Sequence, residues 1–234
     1  MNPTIGILAG MGPKSTAPFI EQIIEQCQKM YGARFDIDFP PMMIYSLPTP
    51  FYIDRPINHR AMKQALRSGL KKLEKSGVSF ITIPCNVVHQ YFDDLTSYVK
   101  VPLLNIVEET LTVLPKKISP ITVLATTQTM ETKVYQNAIK DVGKEFVFLK
   151  EWQGSITQLI QGVKSGKKQT ELQKTAHDLL RSIERENIAG VVVACTDLSK
   201  LFGNLKTKLV LVDSSEALAI STVKQYFSLL SKQS

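Results

Sequence analysis

The chain has 234 residues, 44% of them hydrophobic and 21% charged, which suits a globular protein with one large core or two smaller ones. Its longest apolar run, residues 188–195, is far too short to cross a bilayer, and the first residues enter a strand pattern with no basic leader. A cytoplasmic location without a membrane partner is therefore expected. The formal charge of +7 comes from scattered lysines with no interleaved aromatic residues, which speaks for solvated surface and against a nucleic-acid partner.

Apolar segments of strand length alternate along the chain with longer segments of helical period. Strands are expected at 4–8, 41–45, 80–83, 103–106, 121–124, 146–149, 190–194 and 209–212. Helices are expected at 15–30, 60–75, 107–114, 129–141 and 170–186. The alternation predicts parallel sheets covered by helices on both faces.

The same pattern occurs twice. Residues 76–95, SGVSFITIPCNVVHQYFDDL, align without a gap on 186–205, ENIAGVVVACTDLSKLFGNL, so that Cys85 falls on Cys195, Phe92 on Phe202 and Leu95 on Leu205. TIGILAGM at the start matches ITVLATTQ at 121–128, with Leu8-Ala9 opposite Leu124-Ala125 and hence Ile5 opposite Ile121, and VPLLNIVEE at 101–109 resembles KLVLVDSSE at 208–216. The expected fold class is α/β: two pseudo-symmetric domains, each a four-stranded parallel sheet flanked by helices, with the active site in the interdomain cleft. The first domain takes residues 1–105 and 212–234, and the second takes 106–211. Ligands bind at the carboxyl ends of strands in such sheets, so the repeat predicts two thiols facing one cleft.

A thiol between a strand and a helix meets unpaired N–H groups and a positive dipole, which raise its thiolate fraction above the few per cent expected from a pKa of about 8.5. A single cysteine after an apolar run reads as buried structure, and Cys27, on the Ile20–Ile23–Ile24–Cys27–Tyr31 stripe, is expected in the core. The duplication sets Cys85 and Cys195 apart from it. His89, four residues after Cys85, is expected to hydrogen-bond in the cleft wall or to tune the thiol; His59 and His177 read as surface. No Cys-x-x-Cys spacing and no further ligand near Cys85 and His89 suggests a metal. The stretch Gly6…Gly10-x-Gly12 lacks the third glycine of a dinucleotide loop, and Pro13 spoils it as a P-loop. Its glycines are expected to let the backbone approach a substrate.

Together, GILAGMGPKST, IPCNVVH and VVVACTDL resemble the cofactor-independent aspartate/glutamate racemase family, across essentially the whole chain. Asp197 stands where glutamate racemases usually carry His, so the aspartate branch is the nearer likeness. The resemblance implies racemisation of L- and D-aspartate, or of glutamate, by two bases and without pyridoxal phosphate or metal. One thiolate, Cys85 or Cys195, would remove the α-proton, and the other thiol would return one to the opposite face. It implies further that Asn86, Thr127 and Thr196 hold the α-carboxylate, that Thr126, in the same loop as Thr127 and Thr129, is also substrate-binding, and that Met11 lines the cleft floor. Arg55, in Ile53-Asp54-Arg55, and Lys164, in Val163-Lys164-Ser165-Gly166, would bind an acidic side chain. A homodimer is implied as well.

Three departures stand out: Val87 where Thr is usual after Cys-Asn, Asp197 where Glu is common, and Ser199-Lys200 where Pro is common. Two other classes stay open. A related thiol enzyme could decarboxylate or isomerise a dicarboxylate, and a non-catalytic carboxylate-binding protein could keep the cleft. Neither needs both thiols, so the pair favours racemisation.

Overall fold

The computed structural model describes residues 2–232; Met1, Gln233 and Ser234, which the sequence reading puts in the first domain, lie outside the described residues. In chain order the elements begin β1 Ile5–Ala9, α1 Thr16–Tyr31, β2 Met42–Ser46, α2 His59–Lys75, β3 Phe80–Thr82, α3 Phe92–Tyr98 and α4 Ile106–Thr112. They continue β4 Ile121–Leu124, α5 Thr127–Thr132, α6 Val134–Asp141, α7 Trp152–Ser165, α8 Gln169–Arg185, β5 Gly190–Val193, α9 Ser199–Phe202, β6 Val210–Asp213 and α10 Ser214–Ser231. They form two compact units, Met1–Ile106 with Ser215–Ser234, and Val107–Ser214.

Each unit holds a parallel sheet, in the order β2-β1-β3 in the first and β4-β5-β6 in the second. The expected four strands per sheet are three, with the fourth reduced to a single bridge: Ile81 to Leu103 in the first unit, Ile121 to Phe146 in the second. In the first unit Pro102 offers no N–H, and α4 takes over at Ile106, which leaves no length for a strand. In the second the chain leaves the ladder after Val147, as Phe148 turns edge-on to Trp152 at the start of α7.

The repeat is nevertheless exact in register where it matters. Ile5 pairs with Phe80, and its repeat partner Ile121 pairs with Gly190, the partner of Phe80. Cys85 and Cys195 therefore leave equivalent points of two equivalent ladders. On the far side of β3 and β5 the ladder shifts the sequence alignment by one residue: Ile81 faces Leu103 while Val191 faces Leu211, not Val210.

Strands β1, β3, β4 and β5 are buried at every residue, as Val- and Ile-rich parallel strands covered on both faces must be. Helix α2 turns Met62, Leu66, Leu70 and Leu73 to the core, and Asn58 caps it by accepting from the Ala61 N–H at 3.0 Å. Gly69 permits the close approach, since a Cβ there would lie 2.8 Å from Leu8. The helix expected at 129–141 is broken in two, because Lys133 adopts a left-handed φ of 59°. The Thr132 hydroxyl bonds back to the Thr129 carbonyl at 2.7 Å, a local alternative to the helical ladder. After β6 joins β5, α10 runs into the first unit, where Ser215 donates to Gln22 at 2.6 Å.

Candidate active site

The chain leaves β1 through Gly10, whose φ of 91° and contact with Leu47 backbone leave no room for a side chain: a Cβ would meet Leu47 N at 2.6 Å. Met11 follows, half-buried against the apolar cluster of its unit. On the neighbouring strand, β3 ends and Cys85 follows, buried, with its N–H donating to the Ile83 carbonyl at 2.8 Å. Asn86 is buried beside it and does not cap the turn that follows. Val87 packs into the same apolar cluster as Ile83, Val88, Tyr91 and Leu95, so hydrocarbon contact replaces the hydroxyl usual in the family.

His89 is buried and its two nitrogens face carbonyl oxygens, Nδ1 that of Cys85 at 2.8 Å and Nε2 that of Leu104 at 3.5 Å. A lone pair cannot face a carbonyl at the shorter distance, so Nδ1 carries the proton and donates to Cys85. Burial outweighs both carbonyls and pushes the imidazole down to about 4, which keeps it neutral. An unfolded chain takes up this proton near 6.5, while the fold resists until about 4. Stability from this group is thus full above about pH 6.5 and falls as pH drops through that window, by on the order of 3 kcal/mol. Urea midpoints measured from about pH 7 to about pH 4 should fall more steeply for the wild type than for His89→Asn; parallel profiles would contradict the assignment.

In the second unit the Ala194 N–H bonds the Leu124 carbonyl at 2.9 Å as the chain leaves β5. The Cys195 carbonyl then accepts from the Leu198 N–H, also at 2.9 Å. Thr196 and Asp197 are buried beside the thiol. Lys164, in the last turn of α7, reaches Asp197 Oδ2 at 2.8 Å, and Asp197 Oδ1 has no hydrogen-bond partner. Ser199 donates to Asp213 Oδ1 at 2.9 Å, and Ser214 to the Val193 carbonyl at 2.9 Å, bracing the loop from β6.

The sequence reading put both thiols at helix starts, and here it needs correction. Cys85 precedes a 3-10 segment, Val87–Tyr91, and α9 is a single turn beginning at Ser199. Such short pieces carry little macrodipole, so the helix-dipole part of that expectation does not apply to either thiol.

The remaining expected residues divide between the units. Thr126 caps α5, its hydroxyl accepting from the Thr129 N–H at 3.2 Å and bonding the Thr129 hydroxyl at 3.0 Å. Thr127 opens that helix on the exposed side. Arg55 lies on an exposed loop, with Nε and Nη2 donating to the two oxygens of Asp54 at 3.0 and 3.1 Å, over the Tyr52 ring. Because β1 pairs with β3 and β4 with β5, the Met11 and Cys85 loops share one sheet edge, and the Thr126 and Cys195 loops share the other. Sequence reasoning missed the two acidic partners. Asp54 was readable as Arg55's neighbour, whereas nothing in the sequence links Asp197 to Lys164. Among the described residues no group of three His, Cys, Asp or Glu gathers at one point, and no helix is long and apolar enough to cross a membrane.

Fold and motifs together define a two-unit α/β protein that carries one thiol at the carboxyl edge of each parallel sheet. A family model for Asp/Glu/hydantoin racemases matches residues 8–222, and the chain belongs to that family of isomerases. It is 44% identical over 225 residues to the broad specificity amino-acid racemase RacX of Bacillus subtilis (strain 168), spanning 96% of this chain and 98% of that one. Among solved structures, Picrophilus torridus aspartate racemase superposes with a TM-score of 0.80 at 24% identity, covering 97% of this chain and 95% of that one. An aspartate racemase homologue from Pyrococcus horikoshii OT3 gives 0.77 at 24% identity, covering 97% and 100%. These structural likenesses speak to the fold alone.

Proposed function

We propose that this enzyme racemises free amino acids without pyridoxal phosphate, using Cys85 and Cys195 as the two bases. The observation that carries this reading is the identical register of the two cysteine ladders, Ile5 on Phe80 and Ile121 on Gly190. Two equivalent thiols fit a reaction that takes a proton from one face of Cα and returns one to the other. The thiolate accepts the α-proton, the C–H electron pair spreads into the α-carboxylate, and the second thiol protonates the planar carbon. In the next turnover the roles reverse. Donors around the α-carboxylate must stabilise that carbanion, and Asn86, Thr196 and Thr127 are the proposed donors, with N–H groups of the two turns. Thr126, already engaged as a helix cap, shapes this corner more than it binds.

The side chain that the enzyme accepts is proposed to be broad, with aspartate and glutamate within the range and not its limit. Both cations expected to read an acidic side chain already have an aspartate, Arg55 with Asp54 and Lys164 with Asp197. The relative named for broad specificity supports the same reading. The exposed Arg55 pair is weak and can yield to a substrate carboxylate. The Lys164 pair is held by a buried partner and cannot yield so cheaply.

The test is incubation of each enantiomer of aspartate, glutamate and several neutral and basic amino acids in deuterium oxide, with no cofactor added. Deuterium should appear at Cα of the product enantiomer, for neutral amino acids as well as acidic ones. Racemisation that starts only when pyridoxal phosphate is supplied would overturn the mechanism, and turnover of acidic amino acids alone would overturn the range.

A further inference from the structure

We infer that His89 is a positioning residue for Cys85: one side chain holds the two peptide planes from which the thiol and Asn86 project. The inference rests on the racemase reading for its effect on turnover, but its geometry is independent of that reading.

The Cys85 carbonyl accepts from His89 Nδ1 at 2.8 Å, and the Asn86 carbonyl accepts from the His89 backbone N–H at 3.1 Å. The same residue thus engages both carbonyls on either side of Asn86. A peptide unit whose carbonyl is held cannot rotate without breaking that bond, so the directions of the Cys85 and Asn86 side chains are set from His89. The ring itself has little freedom. It is buried, and it stacks on Phe92 at 5.8 Å between centroids with the planes 14° apart.

The second unit provides the contrast. There the Cys195 carbonyl accepts from a backbone N–H, that of Leu198 at 2.9 Å. The residue in the place of His89 is Ser199, and its hydroxyl goes instead to Asp213 at 2.9 Å. In one loop the backbone itself closes on the cysteine carbonyl; in the other an imidazole does. His89 therefore acts on Cys85 through its carbonyl, and a proton relay through a neutral ring aimed at two carbonyls is not its role.

Two substitutions separate the nitrogens. The side-chain amide N–H of His89→Asn falls where Nδ1–H stood, whereas that of His89→Gln falls near Nε2 and no longer donates to the Cys85 carbonyl. Both are polar and of similar burden to the fold. Racemisation by His89→Asn should stay within about threefold of the wild type. His89→Gln should lose about tenfold or more in kcat, since a misplaced reacting group costs rate steeply. The second readout is the pH profile of iodoacetamide alkylation, followed peptide by peptide for Cys85 and Cys195. Only His89→Gln should move the Cys85 profile, and neither variant should move that of Cys195. Equal profiles and rates for Asn and Gln, or a shift of both thiols together, would overturn the inference. The alkylation readout decides it even for an enzyme with no racemase activity, so failure of the proposed function would be seen separately.

Discussion

Replacing Cys85 by alanine is expected to lower racemisation by about a hundred- to ten-thousandfold, and replacing Cys195 is expected to do the same, because a positioned proton-transfer group contributes roughly 10²–10⁴ in rate. Equality of the two losses is what distinguishes a two-base enzyme from one with a single working thiol. Each variant keeps one thiol, and that thiol still meets one face of Cα. It can therefore exchange the α-proton of one enantiomer with solvent deuterium without inverting it. Cys85→Ala and Cys195→Ala should label opposite enantiomers, which NMR of the unreacted substrate in deuterium oxide checks. Neither change should unfold the protein, since deleting one buried sulfur costs on the order of 1 kcal/mol. Full racemisation by either variant, or labelling of the same enantiomer by both, would remove the second base from the mechanism.

That prediction was within reach of the sequence because burial writes itself plainly into parallel strands. Residues 80–83, 121–124 and 190–194 are apolar runs, rich in Val and Ile and without polar alternation, and they supply β3, β4 and β5. The repeat then fixed the equivalence of the cysteines, and pairing in the two ladders agrees with it residue for residue. The fourth strands were not legible in the same way. Residues 103–106 and 146–149 are apolar enough to be strands, but their length in the ladder is set by where α4 and Trp152 draw the chain away. Helix 129–141 is interrupted at Lys133, whose left-handed φ of 59° its helical sequence pattern does not announce. At the site, residue types were readable and partnerships were not. His89 was expected to hydrogen-bond in the cleft wall or to tune the Cys85 thiol, and its ring meets the Cys85 carbonyl. Lys164 was expected to await a substrate carboxylate, and Asp197, 33 positions away in sequence, holds it.

Lys164→Met carries the second large effect. The Asp197 side chain is only 4% exposed and depends on the lysine 2.8 Å away, so removing the ammonium strands a carboxylate whose other oxygen already has no partner. Breaking such a pair from one side costs about 3–5 kcal/mol, and the lower end applies here because the lysine itself is 31% exposed. Urea denaturation should record a loss of about 3 kcal/mol, with the slope of the transition unchanged. Because Asp197 follows Cys195 and Thr196 directly, the stranded carboxylate should disturb that loop and lower turnover of every amino acid to a similar degree. A lysine that served mainly to read an acidic side chain predicts otherwise: aspartate and glutamate would suffer, neutral amino acids would not, and stability would hold. The double variant Lys164→Met/Asp197→Asn separates the two. With the stranded charge gone, most of the lost stability should return, since the cost lay in an unpaired buried carboxylate and not in the absence of a salt bridge. If stability returns while turnover of neutral amino acids recovers with it, the pair is a structural lock on the Cys195 loop. Recovery confined to stability, with acidic substrates still singled out for loss, would make Lys164 the reader of the side chain after all.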